Sequence, residues 1–436
     1  MLFERPEAGH RAVILHVELK SDANPDRYEF AELARSAELE VVDVITARRD
    51  APKPNTYVGS GKVAEVGAAL KHGRADILLI NHELSAGQQR NLEQALDARV
   101  ITRTELILTI FADRARSHEG QLQVELAQLK HAQTRLVRGW THLDRQKGGI
   151  GLRGAGEKQI ELDQRMLSDR IKATEKKLAA VSKRRGQSRR GRRRRGTPTI
   201  ALVGYTNAGK STLFNCMTNA AVYAEDQLFA TLDPTMRRVE VPGLRDAVLA
   251  DTVGFVSLLP HALVEAFKAT LEEVVHADLL LHVIDVADPL YQERMQQVRG
   301  VLAEIGADAV PEILVFNKVD LLRDPSMIPP QCDFGANCRG VFAVSAAHGT
   351  GVAALVDGIG EALGVAAPHE VVLDSADGRT RAWLYRSGAV LSEQTMEDGS
   401  LHLTLQADDA LLEQLQRAPQ VMLRGAYTAP KISISN

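Results

Sequence analysis

The sequence predicts a multidomain α/β protein, and three observations predict it. At 436 residues the chain exceeds what one hydrophobic core usually fills, so about three domains are expected. Short apolar runs alternate with helical patterns in two separate stretches, as in parallel sheets covered by helices. Between those stretches the strand formers thin out, and a strongly basic segment of helical periodicity takes their place.

In order along the chain, residues 1–112 read as an N-terminal parallel α/β domain. Arg11 to Leu19 is a strand, Tyr28 to Glu38 an amphipathic helix, Val41 to Ile45 a strand, Lys62 to Lys71 a helix and Asp76 to Ile80 a strand. Residues 113–182 form an α-helical hairpin: Leu122, Val124, Leu126, Leu129 and Leu136 mark one helix. Ile160, Leu162, Leu167, Ile171 and Leu178 mark the other, across a glycine-rich tip from Lys147 to Glu157. Residues 183–197 are an arginine-rich linker with nine positive charges between Lys183 and Arg195. Self-repulsion should keep it extended until something anionic neutralises it. Residues 198–366 alternate strands and helices again. Residues 367–436 form a small C-terminal α/β domain, with strands at Val371 to Leu373 and Leu401 to Leu405 and a helix from Ala410 to Arg417.

Composition is that of a soluble globular chain, 44% hydrophobic and 25% charged. No run of about eighteen apolar residues exists, and the N-terminus lacks a signal-peptide layout. A cytoplasmic protein is expected, with any ribosome or membrane association peripheral, and a monomer. Cys216, Cys332 and Cys338 read as free thiols in a reducing compartment, and the thirteen histidines lack zinc-type spacing. Net charge is −3, but residues 113–195 hold 23 Lys+Arg against 9 Asp+Glu, a balance of +14 that leaves −17 for the rest. That segment implies a polyanionic partner.

The chemistry concentrates in residues 198–366. The buried strand Thr199 to Val203 runs into Gly204, Tyr205, Thr206, Asn207, Ala208, Gly209, Lys210 and Ser211, and Thr212 continues a helix. This is a phosphate loop in its strand–loop–helix setting. Its N–H groups and helix N-terminus suit phosphates; Lys210 should reach the β- and γ-phosphates, and the Ser211 hydroxyl should ligate Mg²⁺. Behind it the strand Ala247 to Asp251 ends in an acid suited to a water-mediated Mg²⁺ contact. Thr252, Val253 and Gly254 follow, and the Gly254 N–H can meet the γ-phosphate. The strand Glu312 to Phe316 delivers Asn317, Lys318, Val319 and Asp320. The Asp320 carboxylate can accept from the N1–H and 2-amino edge of guanine, a donor pair that adenine lacks. Val341 to Val344 then leads to the turn Ser345, Ala346 and Ala347, whose backbone can contact the base.

Between loop and strand lie Phe229, Ala230, Thr231, Leu232, Asp233, Pro234 and Thr235. A nucleotide switch needs a hydroxyl here to complete Mg²⁺ coordination and sense the γ-phosphate. Thr231 and Thr235 compete; Thr231 is preferred because Asp233 and Pro234 read as a turn into the strand Arg237 to Val241. The set predicts a Ras-like P-loop G domain hydrolysing GTP with Mg²⁺, with Lys210, Thr231 and Gly254 assigned to the reaction. Phe255 stands where small signalling GTPases place a water-orienting glutamine, which predicts slow intrinsic turnover and a positioning group supplied elsewhere.

These motifs resemble the HflX branch of the translation-factor-related GTPases. Tyr57 to Lys62 and Gly148 to Lys158 also resemble that family, and the resemblance spans about residues 10–365. It implies a nucleotide-switched factor that binds the large ribosomal subunit and its RNA, separates ribosomal subunits in stress, and uses Ser211 and Thr231 as Mg²⁺ ligands. The charge map agrees with an RNA partner. Arg145, Lys147, Arg153 and Lys158 decorate the hairpin tip, and Trp140 is the only aromatic residue in 113–195, which favours phosphate and shape readout over base stacking. Two other functions fit the residues: a GTP-switched module for protein partners, and an RNA-remodelling NTPase with a second nucleotide specificity in the N-terminal domain. For the latter, Gly59 to Lys62 is a poor phosphate loop, with Thr56 in place of the first glycine and Val63 in place of the Mg²⁺ hydroxyl.

Overall fold

A computed structural model describes residues 9–20, 27–140, 155–194, 196–218, 228–229, 231, 235–244, 246–256, 271–322, 337–364, 369–374, 377–387, 389–396, 399–405, 414–415 and 421–426. The N-terminal sheet contains β1 (Arg11–Leu19), β2 (Glu40–Arg49), β3 (Ile77–Ile80) and β4 (Arg99–Thr102) in the order β2-β1-β3-β4, every pair parallel. β1 and β3 are apolar and buried almost throughout, because a parallel sheet is covered on both faces. Helices α1 (Arg27–Ser36) and α4 (Arg103–Arg114) cover one face, and α2 (Ser60–Gly73) and α3 (Ala86–Leu96) the other. The sequence reading stops at Ile80 and misses α3, β4 and α4. Their signals are present: Ser85 with Gln88 and Thr102 with Glu105 are reciprocal capping boxes that start the two helices.

Helices α5 (His118–Trp140) and α6 (Ala155–Arg194) pair through Leu126, Leu129, Leu167 and Ile171. The tip between them, with Arg145, Lys147 and Arg153, lies outside the described residues, as does the side chain of Lys158. The expected extended linker after residue 182 is corrected here, since α6 continues through the arginine run to Arg194. Arginine is a good helix former, and acids from neighbouring elements neutralise one face of the run. Glu119 pairs with Arg185 at 2.9 Å, Glu272 with Arg189 at 2.9 Å and Glu273 with Arg192 at 3.0 Å.

The central sheet runs β10-β9-β8-β5-β7-β6. Its strands are β5 (Thr199–Gly204), β6 (Thr235–Val239), β7 (Ala247–Asp251), β8 (Leu279–Asp285), β9 (Glu312–Asn317) and β10 (Cys338–Ala343). Only β6 is antiparallel, to β7. Here β6 begins at Thr235, two residues before the strand expected at Arg237, so Thr235 is a sheet residue paired opposite Asp251. Helices α7 (Lys210–Thr218), α8 (described over residues 271–275), α9 (Tyr291–Glu304) and α10 (Val352–Ala362) flank the sheet. The wholly buried β5 sits at the sheet's centre and points the phosphate loop at its C-terminal edge, where open α/β sheets bind ligands.

In the C-terminal unit β11 (His369–Asp374), β12 (Val390–Thr395), β13 (Ser400–Leu405) and β14 (Val421–Ala426) pair antiparallel in the order β12-β13-β11-β14, with α11 (Gly378–Ser387) packed on them through Leu384. Of the helix expected from Ala410 to Arg417, only 414–415 are described, and they are helical. Among the described residues no helix is long and apolar enough to cross a membrane, Cys216 and Cys338 are free, and no cluster of His, Cys, Asp and Glu could hold a metal. Cys332 lies outside them.

Candidate nucleotide site

β5 stops at Gly204 because the chain must turn sharply and then open α7 at Lys210. At Gly209 the backbone is left-handed (φ 89°), and an added Cβ would lie 2.2 Å from the Asn317 Nδ2, so only glycine fits. Asn317 braces three segments at once: its amide donates to the Ala208 carbonyl at 2.8 Å, and its oxygen accepts from the Ala346 N–H at 3.0 Å. The result is a cavity of about 430 Å³. Thr206, Asn207, Gly209, Lys210, Ser211, Thr212, Phe229, Thr231, Thr252, Gly254, Asn317, Lys318, Asp320, Ala346 and Ala347 line it. Leu321, which sequence reasoning passed over, lines it too. Gly204, Tyr205, Ala208, Asp251, Val253, Val319 and Ser345 do not line it. Ala230, Leu232 and Asp233 fall outside the described residues.

One end of the cavity has the residues that suit phosphate. Lys210 is buried at the start of α7, donating to the carbonyls of Gly204 (3.2 Å) and Tyr205 (2.7 Å). Burial pushes its ammonium down to about 8, against the pull of Asp251. Polyphosphate would restore the charged form, so the sign is fixed. Below pH 8 the lysine is already protonated, and GTP binding takes up no proton there. Above pH 8 binding must recharge it, and affinity should fall toward tenfold per pH unit. Calorimetry in buffers of different ionisation enthalpy checks this through proton uptake that appears only above about pH 8.

Beside the lysine three oxygen donors converge. Ser211 Oγ and Thr231 Oγ1 lie 2.7 Å apart, and both donate to Asp251 Oδ2, at 2.7 and 3.0 Å. The other carboxylate oxygen, Asp251 Oδ1, is buried without a hydrogen-bond partner. Burial raises the Asp251 pKa, opposed by the Ser211 hydroxyl, Lys210 and Thr231. Two hydroxyls and one acid with a spare buried oxygen suit a small hard cation that brings phosphate oxygens with it. Thr231, rather than Thr235, joins this cluster.

The base end is separate. After the left-handed Lys318 (φ 65°), whose ammonium pairs with Asp285 at 2.8 Å, Asp320 projects into the cavity. A hydrogen bond from Ser345 holds its carboxyl below the usual range, which keeps it an ionised acceptor.

The segments around Phe229 and Val253 pack into the N-terminal domain. Phe229, left-handed at φ 58°, meets the Phe111 ring edge-on at 4.5 Å, and the Leu228 N–H donates to Ser36 Oγ at 3.2 Å. Val253 and Val256 join the core of α1 and α4. Tyr205 of the phosphate loop donates its hydroxyl to Glu29, which is buried against Arg103. None of this was legible in linear motifs. Phe255 is buried among Val203, Tyr205, Leu271 and Val274. Its backbone is stitched to the loop, accepting from the Thr206 N–H at 2.7 Å and donating to the Gly204 carbonyl at 3.2 Å. Phe255→Gln should therefore not accelerate turnover; it buries an amide and should lower stability by about 1–3 kcal/mol, read by chemical denaturation beside a turnover assay.

Four family models match the chain. They are described as GTP-binding GTPase N-terminal (residues 26–112), GTP-binding GTPase Middle Region (114–192), 50S ribosome-binding GTPase (199–318) and HflX C-terminal domain (335–422). The GTPase HflX of Escherichia coli strain K12 is 51% identical over 405 residues, 92% of this chain and 94% of its own length. That of Magnetococcus marinus is 44% identical over 422 residues, covering 95% of this chain and 96% of the relative. Among solved structures, a GTP-binding protein from Sulfolobus solfataricus in complex with GDP covers 81% of this chain and 99% of its own, at 24% identity and a TM-score of 0.44.

Proposed function

This chain belongs to the HflX family of GTPases and hydrolyses GTP, and from that premise we propose that it is a Mg²⁺-dependent cytoplasmic switch acting on the large ribosomal subunit, able to separate ribosomal subunits under stress. The observation that carries the reading is the convergence of Ser211, Thr231 and Asp251 beside Lys210. Thr231 belongs to a segment whose neighbours, Leu228 and Phe229, are seated in the N-terminal domain. A γ-phosphate that reorders Thr231 would pull on that domain as well.

Ser211 and Thr231 would hold the ion through their hydroxyls, and Asp251 would hold one of its waters. When bound, the ion neutralises the β- and γ-phosphate oxygens as charge develops on them. Lys210 would supply a second positive charge, and the Gly254 N–H, on the same cavity wall, would donate to the γ-phosphate. Asp320 restricts the base to guanine. With Phe255 in the water-orienting place, the intrinsic rate is slow and the ribosome is the stimulating partner. The match of residues 199–318 to the 50S ribosome-binding GTPase family supports that partner.

GTP turnover with and without purified large subunits tests the proposal. Stimulation of at least tenfold, with co-sedimentation favoured by a GTP analogue over GDP, is the expected result. No stimulation and no nucleotide-dependent co-sedimentation would refute it.

A further inference from the structure

We propose that the groove between the C-terminal half of α6 and α8 seats the phosphate backbone of folded RNA. The ribosomal reading above supplies only the source of that RNA.

The arginine run carries two faces with different work. Arg185, Arg189 and Arg192 lie on one side and are spent on Glu119, Glu272 and Glu273. Lys176, Lys183 and Arg190 lie on another, seven residues apart, so two helical turns (about 10.5 Å) separate each from the next along one line. Arg194 extends that line by one further turn, to about 27 Å in all. These four and Arg193 are exposed, and none makes an ion pair among the described residues. From Lys176 to Arg194 there is no acidic residue. Arg190 and Arg194, like charges one turn apart, destabilise the helix, and a polyanion along this line would relieve them.

The line borders a groove of about 920 Å³, with Lys183, Gly186, Arg190 and Arg193 on its α6 wall. The acids on its opposite wall are already used: Glu272 accepts from Arg189 at 2.9 Å, and Asp278 from the Thr199 N–H at 2.7 Å. The free charge of the groove is therefore positive. Gly186 leaves its wall bare, and an added Cβ there would meet nothing within 4 Å. A duplex RNA backbone fits this row of cations, spaced along one continuous helix. An anionic membrane fits less well, because the exposed row has no aromatic or aliphatic side chain to insert among lipids.

The test uses the full chain and a 20-base-pair RNA hairpin, with fluorescence anisotropy across a salt series. Lys183→Glu with Arg190→Glu should weaken binding by about 10–100-fold and make the slope of log K against log salt shallower by roughly two, near one unit per lost cation. Gly186→Glu should act in the same direction, while Gly186→Ala, which adds no charge and suits a helix, should keep wild-type affinity. Unchanged GTP hydrolysis in all three confirms their folding. Wild-type RNA affinity and salt slope in the double variant would overturn the proposal. So would loss of binding to phosphatidylserine vesicles while RNA binding stayed intact. A wild-type chain that binds the hairpin through these residues yet ignores large subunits would support the groove and remove the ribosomal reading.

Discussion

Asp320→Ala is expected to lower GTP affinity by 10²–10³-fold while leaving the fold intact. The carboxylate lines the cavity, ionised because Ser345 donates to it, with His348 3.8 Å away and its own side chain 27% exposed. Two charge-assisted hydrogen bonds, from N1–H and the 2-amino group of guanine, contribute roughly 1.5–3 kcal/mol each, less the water they displace. Alanine leaves those donors facing an apolar methyl, and ATP, which never made the bonds, should bind as weakly as before. Selectivity therefore collapses from the GTP side. Asp320→Asn should do more than weaken binding, since its amide adds a donor where guanine also donates. The 2-oxo edge of xanthine accepts there, so XTP should overtake GTP. Competition of each triphosphate against a fluorescent GDP measures both shifts; equal GTP affinity in wild type and Asp320→Ala would remove this residue from base recognition.

How much of this was readable depends on where the constraint lies. Gly204 to Ser211, Asp251 to Gly254 and Asn317 to Asp320 are contiguous, because each is one loop at one strand end whose chemistry dictates its residue types. The structure brings those loops to one cavity. Phe229 was readable only as a member of a motif. That its ring packs on Phe111, and takes a left-handed backbone to do so, follows from a contact between residues more than a hundred positions apart. Tyr205 illustrates the same limit: the loop chemistry leaves its side chain free, and its placement on Glu29 is settled by α1 and α4. The arginine run was misread for an electrostatic reason. Its own charges repel, but Glu119, Glu272 and Glu273 arrive from two other parts of the chain, and no local pattern announces them. The capping boxes at Ser85 and Thr102 were, by contrast, local signals that reading for apolar alternation alone passed by.

Lys210→Met should abolish turnover and yet leave the nucleotide-free fold as stable as before, or more so. Two roles meet in this side chain. Its ammonium ties the Gly204 and Tyr205 carbonyls, and it faces the site where the β- and γ-phosphates would lie. Removing one preorganised cation or donor aimed at developing charge commonly costs 10²–10³ in rate, and loss of loop bracing adds to that, so kcat/KM should fall at least 10³-fold. Stability moves the other way. The folded lysine titrates near 8 against 10.5 when solvated, so at pH 7 the fold bears the cost of a buried ammonium. That cost is fully present below pH 8 and fades as pH rises from 8 toward 10.5, where the unfolded chain binds the extra proton. Methionine keeps the length and removes the charge; the gain at pH 7 is bounded by about 3 kcal/mol, reduced by the two lost hydrogen bonds. Equilibrium denaturation at pH 7 and pH 10 separates the terms: the variant's advantage should shrink at the higher pH. A variant destabilised equally at both would mean that Lys210 serves the fold chiefly through its backbone bonds, and its loss of turnover would then say little about phosphate.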